Sequence, residues 1–139
     1  MTAEPAQVLL IGGELTELGR VRQWARTVLA DLDDVLVDAL SVIDELTANA
    51  LRHARAPFRV SLRRTRDRLR VEVSDGSPEA AAPRTPDDAG GRGLLLVQAY
   101  SRGWGQETYP DGKIVWAELD LAPGPAYASY SPNGSRAER

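Results

Sequence analysis

The feature that most limits what this chain can fold into is a change in the spacing of its apolar residues at Pro57. Before it, Leu36, Ala39, Leu40, Ile43, Leu46 and Ala50 recur at three- and four-residue steps. That is the buried stripe of one helix, expected over residues 34–54. Asp33 and Asp34 suit its first turn, and Pro57 ends it. After Pro57 the period is two. Phe58, Val60 and Leu62 alternate with Arg59, Ser61 and Arg63; beyond a turn at Thr65-Arg66-Asp67, Leu69, Val71 and Val73 alternate with Arg70 and Glu72. This is an antiparallel hairpin with one buried face. A one-striped helix and a one-faced hairpin each need cover, and a helix layer on a sheet gives it to both.

The flanking segments extend the same scheme. Val8-Leu9-Leu10-Ile11 reads as a short strand stopped by Gly12-Gly13. Within residues 15–30, Leu18, Val21, Trp24, Ala25, Val28 and Leu29 share one helical face. Gly93 to Ala99 is a short apolar helix, and Trp104 to Thr108 pairs with Ile114 to Leu119 across Tyr109-Pro110-Asp111-Gly112. The order is βααββ, a loop over residues 76–91, then αββ. The expected fold is an α/β (α+β) two-layer sandwich with a mixed, mainly antiparallel sheet. With 139 residues, one domain over 1–121 is expected. Residues 122–139 hold no aliphatic side chain larger than alanine and are expected to be a disordered tail.

Composition removes several classes of function. There is no cysteine, which excludes disulfides and thiolate zinc sites, and His53 is the only histidine. The polar stretch from Met1 to Gln7 is no signal peptide, and no apolar run reaches the ~18 residues of a membrane span, so a cytoplasmic protein is expected. The net charge of −3 gives no argument for a nucleic-acid partner. Eight arginines lie between Arg52 and Arg70 against one acid, Asp67. However, Arg59, Arg63 and Arg70 fall on the outward side of the hairpin with no aromatics between them, as solubility alone requires. No Gly-x-Ser-x-Gly elbow marks a nucleophile.

Three segments carry candidate chemistry. Glu45, Asn49 and His53 are four apart and lie on one helix face, drifting about 40° per step. The plain alternative is a solvated helix edge. Beside an apolar stripe, though, Asn49 offers an amide oxygen of the kind Mg²⁺ takes alongside phosphates and water. Glu45, one turn away, is placed to accept a proton from a hydroxyl or water. Asp75 closes a strand ahead of Gly76; it is either a turn residue or an acceptor for an exocyclic amine such as that of adenine. Gly90-Gly91-Arg92-Gly93 is either a hinge or a loop whose amides close on phosphate at a helix start, with Arg92 as a charged donor. It is neither a Walker A loop nor a dinucleotide fingerprint.

In this order and spacing the segments resemble the GHKL superfamily of histidine kinase-like ATPases, and within it the small anti-sigma-factor serine kinases and ATP-binding regulators of actinomycetes. Glu45-Leu46-Thr47-Ala48-Asn49-Ala50-Leu51-Arg52-His53-Ala54 resembles the N box, Val73-Ser74-Asp75-Gly76-Ser77-Pro78 the adenine box, and Gly90-Gly91-Arg92-Gly93-Leu94-Leu95-Leu96-Val97 the second glycine box. Gly112 to Leu119 resembles the closing strand. The resemblance implies ATP and Mg²⁺ as cofactors, Glu45 as general base and Asn49 as the metal ligand. It implies Arg52 at phosphate, His53 near the base, and Asp75 with Gly76 at the adenine amine. Gly91, Arg92, Gly93 and Leu94 would lie at the phosphates, and residues 77–92 would form a lid. It also implies a sigma factor and a STAS-type anti-sigma-factor antagonist as partners, no direct nucleic-acid or membrane contact, and a homodimer formed through the exposed Trp24 region or the outer sheet. Ile114 stands where the family usually carries a threonine that helps recognise adenine, and isoleucine makes no hydrogen bond. A GHKL-fold binding module without catalysis, acting by partner sequestration, is therefore the alternative. A catalytic domain cut from a histidine-kinase receptor is the least expected reading, because no phosphoacceptor histidine region precedes the first strand.

Overall fold

The computed structural model describes residues 5–79 and 91–121. In chain order the elements are β1 (Gln7–Ile11), α1 (Glu17–Val28), α2 (Leu36–His53), β2 (Phe58–Arg64), β3 (Arg68–Asp75), α3 (Gly91–Tyr100), β4 (Gly103–Tyr109) and β5 (Gly112–Asp120). This is the expected order, with helices covering one face of a five-stranded sheet. The residues expected to form the tail lie outside those described, as do residues 80–90 of the expected lid.

Helix α2 begins two residues later than the acid pair implies. Asp33 instead serves the preceding turn, its carbonyl accepting from the Leu36 amide at 3.3 Å. The helix ends where Ala54 turns extended, with Arg52 and His53 in a last turn that favours positive charge. Ala39, Ile43, Leu46 and Ala50 are buried as the stripe requires, while Leu36 and Leu40 are only half-buried. Val42, Thr47 and Ala48 are buried as well, because α2 packs against α1 and α3 as well as the sheet. On α1, Val21 and Ala25 are fully buried, and Leu29 just past its end is too. Trp24 is half-buried against the same core rather than exposed.

The strand order is β1-β2-β3-β5-β4, and all four pairings are antiparallel. No parallel pair occurs among the described residues: α3 returns the chain to the far edge as β4, and β5 then enters between β4 and β3. The alternation read from the sequence decides the faces. Phe58, Val60 and Leu62, then Leu69, Val71 and Val73, then Val115, Ala117 and Leu119 face the helices and are buried. Each fully buried aliphatic side chain contributes about 1.5–3 kcal/mol relative to exposure. The opposite face mixes charged residues with the exposed Val8 and Leu10 and with Ile114 and Trp116. There the Arg70 guanidinium lies 4.4 Å from the centroid of the Trp116 ring, with hydrogen bonds to Glu72 at 2.7 Å and Glu118 at 3.1 Å.

Candidate functional site

The site lies where the inner face of β3 ends. Period-two alternation puts Asp75 on that face, one step beyond Val73, so a carboxylate stands at the rim of the core. Its neighbour across the sheet in register is Lys113, on the inner face of β5 beside Val115. The two form a buried ion pair. The Lys113 Nζ is 3.0 Å from Asp75 Oδ2, and the side chains are only 5% and 1% exposed. Nζ donates to Oδ1 at 3.1 Å and to the Ser77 carbonyl at 3.4 Å. Oδ1 also accepts from the Ser77 amide at 2.8 Å, closing the turn after the strand. Oδ2 is ion-paired but off the hydrogen-bond direction, so it is a buried acceptor with no hydrogen bond.

The turn is fastened to the segment leaving α2. The Arg55 amide donates to Ser77 Oγ at 3.0 Å, and the Gly76 amide donates to the Arg55 carbonyl at 2.6 Å. Gly76 has a packing reason of its own, since a Cβ there would meet the Ala56 carbonyl oxygen at 2.2 Å. Gly112 is constrained likewise against the Asp75 carbonyl oxygen, also at 2.2 Å. These close approaches bring the ends of β3, β5 and α2 to one corner of the fold.

On α2, Glu45 and Asn49 are half-buried and border the core residues Leu46 and Ala50, while Arg52 and His53 are exposed. Burial pushes the Glu45 carboxyl above its ordinary pKa; the Asp44 charge adds to the shift and Arg52 opposes it. Asp44 itself is held to α1 by two hydrogen bonds from Arg22, at 2.9 and 3.3 Å. At the glycine-rich segment, α3 starts at Gly91. The amides of Gly91, Arg92 and Gly93 therefore open a helix and have no intrahelical acceptor. The Leu94 side chain is in the hydrophobic core, 1% exposed, where it anchors the first turn. Gly90 lies outside the described residues.

Reading motifs alone misses Lys113 and Ser77. Ile114, singled out by resemblance, is half-buried on the face opposite the helices and pairs with Ser74 and Glu107, away from Asp75. Alternation was the available signal: with Val115, Ala117 and Leu119 inward, position 113 is inward too. Lys113 is also the only lysine among 17 basic residues.

Two separate features suit a nucleotide. A buried carboxylate oxygen without a hydrogen bond suits an amine donor. The open amides of α3 suit an anion. Among the described residues, no group of three or more carboxylate or imidazole side chains is placed to hold a metal. No helix is long and apolar enough to cross a membrane among them either. No curated protein matches the chain. A family model described as a histidine kinase-like ATPase domain matches residues 11–119.

Proposed function

The chain belongs to the histidine kinase-like ATPase domain family and carries its ATP-binding fold, and on that premise we propose that it is a regulator of the anti-sigma-factor serine kinase type. In this reading it phosphorylates a serine of a STAS-type anti-sigma-factor antagonist in one state and sequesters a sigma factor in another. The observation that carries base recognition is Oδ2 of buried Asp75, an acceptor with no hydrogen bond that faces only the Lys113 ammonium and is matched to the adenine amine. Bound ATP supplies the transferable phosphoryl group.

The chain's own groups then position and neutralise, which is most of what phosphoryl transfer asks of a protein. Glu45 takes the proton from the attacking serine hydroxyl, and its raised pKa brings it toward the working pH, the right direction for a base. The Asn49 amide oxygen holds Mg²⁺ together with phosphate oxygens and water. Arg52 and Arg92 donate to phosphate, the amides of Gly91 and Gly93 close on it, and His53 lies at the base. Gly76 allows the turn after Asp75 to pass against Ala56.

One observation favours the second reading, a non-catalytic binding module. The carboxylate assigned to the base is already ion-paired with Lys113. Calorimetric titration of ATP with Mg²⁺ into wild type and Asp75→Asn separates the two, followed by phosphoryl-transfer assays on the STAS partner. The kinase reading expects binding in wild type and its loss in Asp75→Asn. It also expects Glu45→Ala to bind ATP while transfer falls about 10²–10⁴-fold. Absence of binding in wild type at millimolar ATP, with retained capture of the sigma factor, overturns it in favour of sequestration.

A further inference from the structure

Lys113 stands in the wrong layer for an ordinary lysine. Its inward neighbours along β5, from Val115 to Leu119, and those on β2 and β3, from Phe58 to Leu62 and from Leu69 to Val73, are all aliphatic or aromatic and buried, and an ammonium in that layer is tolerated only when paired. The pairing is complete on the lysine's side. Nζ reaches both oxygens of Asp75 and the Ser77 carbonyl. Gly112, directly before it, lets β5 press against the Asp75 carbonyl, so the backbone itself delivers the ammonium to the carboxylate. Any ligand amine that binds Asp75 must therefore contend with a donor already in place. The contest is unequal, because an ammonium–carboxylate hydrogen bond has charge on both partners and an exocyclic amine carries none.

We infer that Lys113 is an internal competitor for Asp75, a tethered cation that occupies the base-reading acceptor and thereby sets the affinity of the pocket for an amino-purine nucleotide. The inference rests on the proposed role of Asp75. When the base binds, Nζ gives up Asp75 and the Ser77 carbonyl; when it leaves, the ion pair re-forms and reseals the corner. Base recognition is thus opposed by a contact within the fold, and a shorter neutral side chain at this position relieves the opposition.

The test is calorimetric titration of ATP with Mg²⁺ into wild type, Lys113→Thr, Asp75→Asn and the double variant. Lys113→Thr is expected to bind about tenfold or more tightly than wild type, the scale of one hydrogen bond's net strength. The gain should vanish in the double variant. Equal or weaker binding by Lys113→Thr, with binding in wild type that Asp75→Asn abolishes, overturns the inference and leaves the base-reading role intact. Binding that Asp75→Asn leaves unchanged, or no binding by any form, overturns both. A second readout needs no variant and guards against misfolding. Because the chain has one lysine, an isotope label at lysine Nζ gives a single side-chain resonance. That resonance should move on saturation with ATP; an unmoved resonance at saturation refutes displacement.

Discussion

The Asp75–Lys113 pair gives a stability prediction that does not depend on any ligand. Both side chains are 5% exposed or less and their charged atoms are 3.0–3.1 Å apart. Lys113→Met leaves a carboxylate with its Ser77 amide bond but no counter-charge, and Asp75→Asn leaves an ammonium in the same place. Breaking a buried pair from one side costs about 3–5 kcal/mol. That is a large part of the roughly 5–15 kcal/mol that holds a domain folded, and it lowers the melting temperature by about 10 °C or more. Removing both charges leaves no stranded ion, so the double variant should recover about 2–3 kcal/mol relative to the sum of the single losses. Urea unfolding followed by tryptophan fluorescence is a suitable assay, since Trp24 and Trp104 pack against the core. The exposed Arg102–Asp120 pair, with side chains 40% and 55% exposed, is the internal control. Arg102→Met should cost less than about 1 kcal/mol. A loss below about 1 kcal/mol for Lys113→Met, or strict additivity in the double variant, refutes the claim that these charges depend on each other.

Other outcomes follow from single positions. Glu45 has a folded pKa raised chiefly by burial, so the folded state holds its proton longer than the unfolded chain does. Its contribution to stability therefore falls as pH rises from the ordinary glutamate value through the raised one. Glu45→Gln should flatten that slope and gain on wild type toward neutral pH, as unfolding curves across that range would show. Gly76→Ala forces a Cβ to within 2.2 Å of the Ala56 carbonyl oxygen and should destabilise by about 1–3 kcal/mol or more in urea. Gly19→Ala, inside α1 with nothing within 4 Å, should instead stabilise by about 0.5–1 kcal/mol.

Local periodicity made most of the fold legible. The alternation from Phe58 to Val73 is a property of adjacent residues, and so is the stripe on α2, which is why strand faces and helix order follow from short windows. What escaped depends on partners distant in sequence. Thr47 and Ala48 look like the solvent side of α2 until the helix is known to pack against α1 and α3 as well as the sheet. Trp24 reads as exposed until the core closes on it. Asp75 was legible as a strand-end acid, but its partner lies 38 positions away and meets it only once β5 is placed beside β3. Resemblance drew attention to Ile114, whereas the one-residue pleat gives the inner face to Lys113. Gly76 was legible as part of a motif, while its close approach to Ala56 was not.

The strand order has a consequence for how the chain is made. β5 is the last strand of the described chain, yet it lies inside the sheet, between β3 and β4. Until it emerges from the ribosome, β3 is a bare edge, β4 has no neighbour, and Asp75 has no counter-ion. The sheet is therefore completed only after nearly the whole domain has been synthesised, although β1, β2 and β3 can pair earlier. During that interval the nascent chain presents an unpaired apolar edge, the kind of surface that chaperones hold and that aggregates when they do not.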